Sequence, residues 1–228
     1  MLLFEKIRKK INKIYDKKKK EKLDFYLHQY KNYEEYKKIQ IFHNKRKLHK
    51  VFVTKKVLNI VIREVKKNYP NKKYFALCHG TRNGFEQNYI ASKMNVSIIG
   101  TDISDTATQF PKSIVWDFHK PNKQWVGKCD FIYSNSLDQS YKPKKALTTW
   151  LEQLKIGGLL FLEFADDHGP KGAGEMDPFG CKAEYFPYLI FDWFSYAISL
   201  KIIHSYDFDD QKNKHHTCIF VIKKLSII

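Results

Sequence analysis

Residues 74–87 read YFALCHGTRNGFEQ, a short apolar run that breaks into Gly80 and Gly84 just ahead of a helix-compatible segment. An apolar strand ending in a glycine turn before a helix is how a ligand pocket opens in an α/β sheet, because glycine lets the backbone approach the ligand closely. Eighteen residues past Gly84 a second strand-like run, VSIIGTD, ends on Asp102. A carboxylate at that place can accept hydrogen bonds from both hydroxyls of a ribose, so the pair points to a nucleoside cofactor.

Outward from this pair the chain alternates. Before it, TKKVLNIVIREVKKNY sets Val57, Ile60, Val61 and Val65 on one helical face, with Thr54 placed to cap the helix and Pro70 to end it. After it come a strand at 74–78, a helix near 85–93, a strand at 96–101, a short helix near 104–109 and strands at 113–116 and 130–134. A helix at 143–154 and a strand at 158–164 follow, the latter entered through Gly157 and Gly158. Alternation at this spacing predicts a parallel sheet covered by helices on both faces. The tail reads as a helix near 184–199, then SLKIIHSYDF and HHTCIFVIKK separated by DDQKNK, an antiparallel hairpin at the far edge of the sheet.

A chain of 228 residues with 43% hydrophobic composition can bury one substantial core. The expected organisation is a basic helical N-terminal extension over residues 1–52 and one domain over 53–228. No run approaches the ~18 to 20 apolar residues of a membrane span. The start MLLFEKIRKKINK lacks the apolar centre of a signal peptide, so a cytoplasmic location is expected. Cys78, Cys129, Cys181 and Cys218 form no CxxC pair, which argues against a zinc motif or a disulfide framework. They are expected to be reduced.

The formal net charge is +17, and residues 1–50 hold 17 Lys or Arg against 6 Asp or Glu. Such a surface attracts nucleic acid, anionic lipid headgroups or phosphorylated substrates, or serves only solubility. Leu3, Ile7, Ile11 and Ile14 recur at helical spacing among lysines, the pattern of a basic amphipathic helix. It suits peripheral contact with the inner face of an anionic membrane, and equally docking on the domain or on a second subunit in an oligomer. In FYLHQYKNYEEY, residues 25–36, the tyrosines can stack on nucleic-acid bases or pack as half-buried helix.

With these elements placed, residues 74–224, roughly two thirds of the chain, resemble the class I S-adenosylmethionine-dependent methyltransferases. The family opens with an acid and a GxGxG turn; here CHGTRNG keeps Gly80 and Gly84, Cys78 stands where the acid sits, and Arg82 replaces the middle glycine. The resemblance implies S-adenosyl-L-methionine as cofactor and a Rossmann-like doubly wound seven-stranded sheet, mostly parallel with an antiparallel C-terminal hairpin. It places Cys78, His79, Gly80, Thr81, Arg82 and Gly84 on the methionine side. The amino-group contact then comes from Glu86 or elsewhere, and Arg82 is free to reach a carboxylate or phosphate. Asp102 matches the ribose acid with Ile103 packing on adenine. Asp117 matches the contact to the adenine amino group, with Trp116 and Phe118 available for stacking. In CDFIYSNSLDQSYKPKKALTTWLEQLKIGGLLFLEF, residues 129–164, Ser134, Asn135 and Ser136 fall beside the transferred methyl, and Asp138 and Gln139 open the following loop.

Methyl transfer chiefly needs in-line alignment and exclusion of water, and a hydroxyl acceptor gains from a nearby base. ADDHG offers Asp166, Asp167 and His168, so His168, Asp166 and Asp138 are the catalytic candidates, His168 as base. The same loop with Glu163 could hold a divalent cation, or be a solvated acidic loop; no metal is assigned. His119, His215 and His216 are weaker candidates for the base and read rather as surface or strand-end histidines. The glycine-rich HGPKGAGEMDPFGCKAEYFP reads as a flap whose Glu175, Asp177, Phe179, Tyr185 and Phe186 face the acceptor or simply pack. The preferred acceptor is a small anionic molecule, a nucleotide-linked or phosphorylated sugar for O-methylation in cell-surface polysaccharide (capsule) biosynthesis. RNA is the alternative, without a recognisable RNA-binding module. The third reading is a non-catalytic cofactor-binding scaffold.

Overall fold

In a computed structural model of the protein, the structure describes residues 16–70, 73–165, 168–208 and 214–228. The main sheet has seven strands. Five are parallel: β2 (Tyr74–His79), β3 (Val96–Asp102), β4 (Ser113–Val115), β5 (Cys129–Ser134) and β6 (Leu154–Ala165). Two more, β8 (Ile198–Phe208) and β9 (Lys214–Lys224), form the C-terminal hairpin, and β9 runs antiparallel to β6. The order across the sheet is β4-β3-β2-β5-β6-β9-β8, so the chain winds outward in both directions from the β2–β5 junction. That reversal leaves a crevice at the carboxyl ends of the central strands, the place where open α/β sheets bind ligands.

Strand periodicity sorts the core into two layers. Ala76 and Cys78, Phe131 and Tyr133, and Leu159 and Phe161 pack against helix α2 (Lys55–Asn68) and helix α3 (Phe85–Lys93). Leu77, Ile132, Leu160 and Leu162 face helix α4 (Pro143–Gln153) and helix α5 (Phe186–Phe194). The Thr54 side chain accepts the Val57 N–H at 3.2 Å, the cap read from the sequence. The expected tail helix over 184–199 is shorter. Ser195 takes a positive φ of 43°, a short 3-10 turn follows, and β8 starts at Ile198, because the apolar run continues as strand after the helix stops.

The N-terminal segment folds against this body. β1 (Phe25–Leu27) pairs antiparallel with β7 (Phe179–Cys181) inside the glycine-rich segment, and helix α1 (Tyr33–Arg46) lies across the carboxyl ends of the strands. The amphipathic helix expected from Leu3 to Lys20 falls mostly outside the described residues; 16–21 are helical. Among the described residues no helix is long and apolar enough to cross a membrane, and all four cysteines are buried.

Candidate active site

The turn after β2 is built on glycine where the space demands it. Gly80 has φ +75°, and a Cβ there would sit 2.4 Å from the Ser136 Cβ. Gly84, also at φ +75°, is the N-cap of α3. Between them Arg82 holds a positive φ of 43° with a full side chain, a conformation glycine adopts without steric cost. The Gly80 and Thr81 N–H groups donate to the Thr101 carbonyl at 2.8 and 3.1 Å, which carries the turn over the end of β3.

Two adjoining cavities open there, of about 30 and 170 Å³. Both are bordered by Gly80, Arg82, Gln139, Lys47 and Asp177. The first holds Asp102, Ile103, Asp117 and Phe118 under a roof of Tyr36, Gln40 and Asn44 from α1. Asp102 is buried, which pushes its carboxyl up, while it accepts the Ser104 N–H at 2.9 Å and the Arg82 N–H at 3.0 Å. Its carboxylate therefore pins the glycine turn as well as facing the cavity.

Asp117 is held differently. Burial pushes its carboxyl up, but hydrogen bonds outweigh this and hold it down at about 2. Its Oδ1 accepts from the His119 N–H and Nδ1–H at 2.9 and 2.7 Å, and its Oδ2 from the Tyr33 hydroxyl at 2.7 Å. His119 is not a surface histidine. It is 1% exposed, burial lowers its pKa, and its Nε2 meets Ser140 Oγ at 2.7 Å. With Nδ1 donating to the carboxylate, Nε2 is left to accept from that hydroxyl.

The second cavity contains Glu86, Asn135, Ser136, Asp138, Glu163 and His168, with Lys47, Lys50 and Phe52 at its mouth. Burial raises both Glu86 and Glu163 to about 7. Glu163 accepts the Tyr133 hydroxyl, whereas Glu86 Oε2 is buried without a hydrogen-bond partner among the described residues. His168 Nε2 stands 3.7 Å from Asp138 Oδ2, and the Ala165 N–H points at its Nδ1 from 3.4 Å. The structure thus brings His168 and Asp138 together; Asp166 and Asp167 lie outside the described residues.

Some of the residues read from the sequence sit elsewhere. β2 is covered on both faces, so the side chains of Cys78 and His79 point into the core. Cys78 packs under α2 and α3, and burial raises its thiol well above the usual range. His79 stacks on Trp150, bonds Thr101 Oγ1 and Gln153 Oε1 at 2.8 and 2.9 Å, and is lowered to about 4 by burial. Only their backbone is available to a ligand. Ser134 is likewise buried, donating to the His79 carbonyl and accepting the Ser136 N–H, a tie between β5 and the turn. Trp116 packs on Trp125 rather than in the cavity. In the glycine-rich segment Met176 and Asp177 reach the cleft, while Phe179 and Phe186 are core.

The α1 roof is absent from the sequence-derived site. The signal was Tyr33, Tyr36, Gln40, Asn44 and Lys47 at spacings of three and four, a polar and aromatic stripe on one helical face.

No family model and no curated protein matches the sequence. The fold matches solved structures throughout the described core. A Burkholderia thailandensis 1,6-didemethyltoxoflavin-N1-methyltransferase bound to its didemethyltoxoflavin and S-adenosylhomocysteine is 9% identical, with 87% of this chain and 92% of that one aligned at a TM-score of 0.63. The CurJ carbon methyltransferase is 13% identical at TM-score 0.55, and this chain spans only about half its length, 53%, using 75% of its own. The [4+2]-cyclase SpnF is 12% identical at TM-score 0.53, covering 74% of this chain and 81% of that one. At such identities the likeness is one of architecture: the protein has the Rossmann-like α/β fold of the class I S-adenosylmethionine-dependent methyltransferases. SpnF illustrates that one fold carries more than one reaction.

Proposed function

We propose that the protein is an S-adenosylmethionine-dependent methyltransferase acting on a hydroxyl of a small anionic acceptor, such as a nucleotide-linked or phosphorylated sugar. The observation that carries the cofactor reading is Glu86, whose Oε2 is buried in the cleft without a partner among the described residues. An orphaned buried carboxylate oxygen is costly, and a ligand ammonium would satisfy it. Glu86 thereby takes the place of the acid that Cys78 does not supply.

Asp102 and Asp117 would receive the ribose and adenine beneath Tyr36 and Asn44, with Phe118 and Ile103 as the apolar walls. When bound, the sulfonium supplies an activated methyl group whose transfer leaves the electron pair on sulfur. The chain's part is alignment and exclusion of water, which the α1 roof and the Met176–Asp177 wall favour. Lys47, Lys50 and Arg82 at the mouth of the second cavity favour an anionic acceptor. His168, with the Asp138 carboxylate 3.7 Å from its Nε2, would take the hydroxyl proton as the oxygen–methyl bond forms.

Titration calorimetry with S-adenosylhomocysteine tests the first half: binding is expected, and Asp102→Ala should weaken it by about tenfold or more. Labelled methyl transfer to a panel of sugar nucleotides and sugar phosphates tests the second half. Binding without transfer to any member would sink the acceptor assignment, and transfer to RNA would replace it. Absence of binding would sink the methyltransferase reading itself.

A further inference from the structure

The C-terminal hairpin carries a cluster that the cleft does not use. In its antiparallel register His204 lies opposite Cys218, and His216, two residues before Cys218, falls on the same face by strand alternation. The three side chains converge. His204 Nδ1 is 2.9 Å from His216 Nε2, and the Cys218 sulfur is 3.4 Å from the former and 3.6 Å from the latter. The imidazole rings lie nearly parallel, 11° apart at 5.1 Å between centroids.

A tetrahedral ion with bonds of about 2.05 Å to nitrogen and 2.3 Å to sulfur spaces two nitrogens ~3.3 Å apart and nitrogen from sulfur ~3.6 Å apart. The observed triangle is within a few tenths of an ångström of that figure. Cys218 is buried against Phe164 and Phe220 in the α5-side layer, while His204 is exposed and His216 half-buried. The thiol end is dry and the imidazole end reaches solvent, which provides both a low-water pocket and an entry path.

We propose that His204, His216 and Cys218 form a metal site for a zinc-class divalent cation that clips β8 to β9, with solvent completing the fourth position. The donor set of two nitrogens and one sulfur selects a borderline ion over calcium or magnesium. Binding converts the Cys218 thiol to a thiolate and releases its proton to solvent; no electron is transferred. None of the three residues lines the two cavities of the cleft, so the proposal stands independently of the methyltransferase reading.

The test is titration of the metal-free full-length protein with Co²⁺ and, in competition, Zn²⁺. One equivalent should bind with a thiolate-to-cobalt charge-transfer band, and Zn²⁺ should displace it and raise the melting temperature. Cys218→Ser should abolish the band. His204→Ala, at an exposed position where folding is not at risk, should weaken Zn²⁺ binding by about tenfold or more, since loss of even an outer partner costs ~10–100-fold. No charge-transfer band, or a band that persists in Cys218→Ser, overturns the site. So does equal Zn²⁺ affinity in the parent and both variants, which would leave the three groups as a hydrogen-bonded cluster only.

Discussion

Helices α1 and α2 are each 14 residues long and adjacent in the chain, yet they bury opposite kinds of surface. α2 turns Val57, Leu58, Ile60, Val61 and Val65 onto the sheet, a face that needs only apolar area to dock. α1 turns Tyr36, Gln40 and Asn44 inward. Each of those polar groups meets a partner far along the chain: Tyr36 donates to the Gln139 carbonyl at 3.1 Å, Gln40 to the Met176 carbonyl at 3.0 Å, and Asn44 accepts from Thr106 Oγ1 at 2.8 Å. A helix that buries polar atoms against loops is roofing a site; one that buries branched aliphatics is holding the fold.

The contrast breaks most sharply at Leu58, which is fully buried. Leu58→Ala should cost about 2–5 kcal/mol in urea unfolding while leaving ligand affinity of the folded protein unchanged. An affinity that fell with stability would erase the distinction between the two helices.

Next in size is the pH response of the cleft. Glu86 and Glu163 sit at about 7 against an ordinary 4.5, so they favour the protonated form in the folded state. Their contribution is fully present below about 4.5 and is lost as pH rises through about 7. The melting temperature of the ligand-free protein should fall over that window, and Glu86→Gln and Glu163→Gln should each flatten the fall. Asp117 runs the other way, its contribution present above the ordinary 3.8 and lost as pH drops through about 2. An unchanged slope in both glutamine variants would mean that neither carboxyl is held as described.

On α1 itself, Gln40→Ala and Asn44→Ala should each cost only ~1 kcal/mol of stability. Both should weaken S-adenosylhomocysteine by about tenfold in calorimetry, because they line the first cavity. The smallest change is Tyr33→Phe, which removes one hydrogen bond to Asp117 at a cost of ~1 kcal/mol. Its diagnostic readout is the acid limb of stability, which should move upward in pH once that donor is gone.

Much of this molecule was legible in the linear pattern. The β2–α3 turn, the ends of β3 and β5 and the hairpin follow from period-two and period-3.6 hydrophobicity punctuated by glycine and proline, which are properties of neighbouring residues. Asp102 was legible for the same reason, since a residue at the end of a parallel strand lies at the crevice by construction, and Asp117 through the family resemblance of the stretch IVWDFH; both line the first cavity. Cys78 and His79 misled in their side chains. A central strand is covered on both faces up to its last residue, so position near the turn did not imply exposure to it.

The order of elements, the two-layer core and the place of the cleft were therefore determined by the sequence by itself, because hydrophobic periodicity acts locally and strand ends inherit their position from it. The tertiary structure alone decided that α1 roofs the cleft through polar contacts 62 to 136 residues away in the chain. It also decided that Glu86 is left with an oxygen unpaired among the described residues, and that His204, His216 and Cys218 meet although no CxxC spacing announces them. Polar groups acquire their partners through packing rather than periodicity, and their chemistry becomes visible only when the chain has folded.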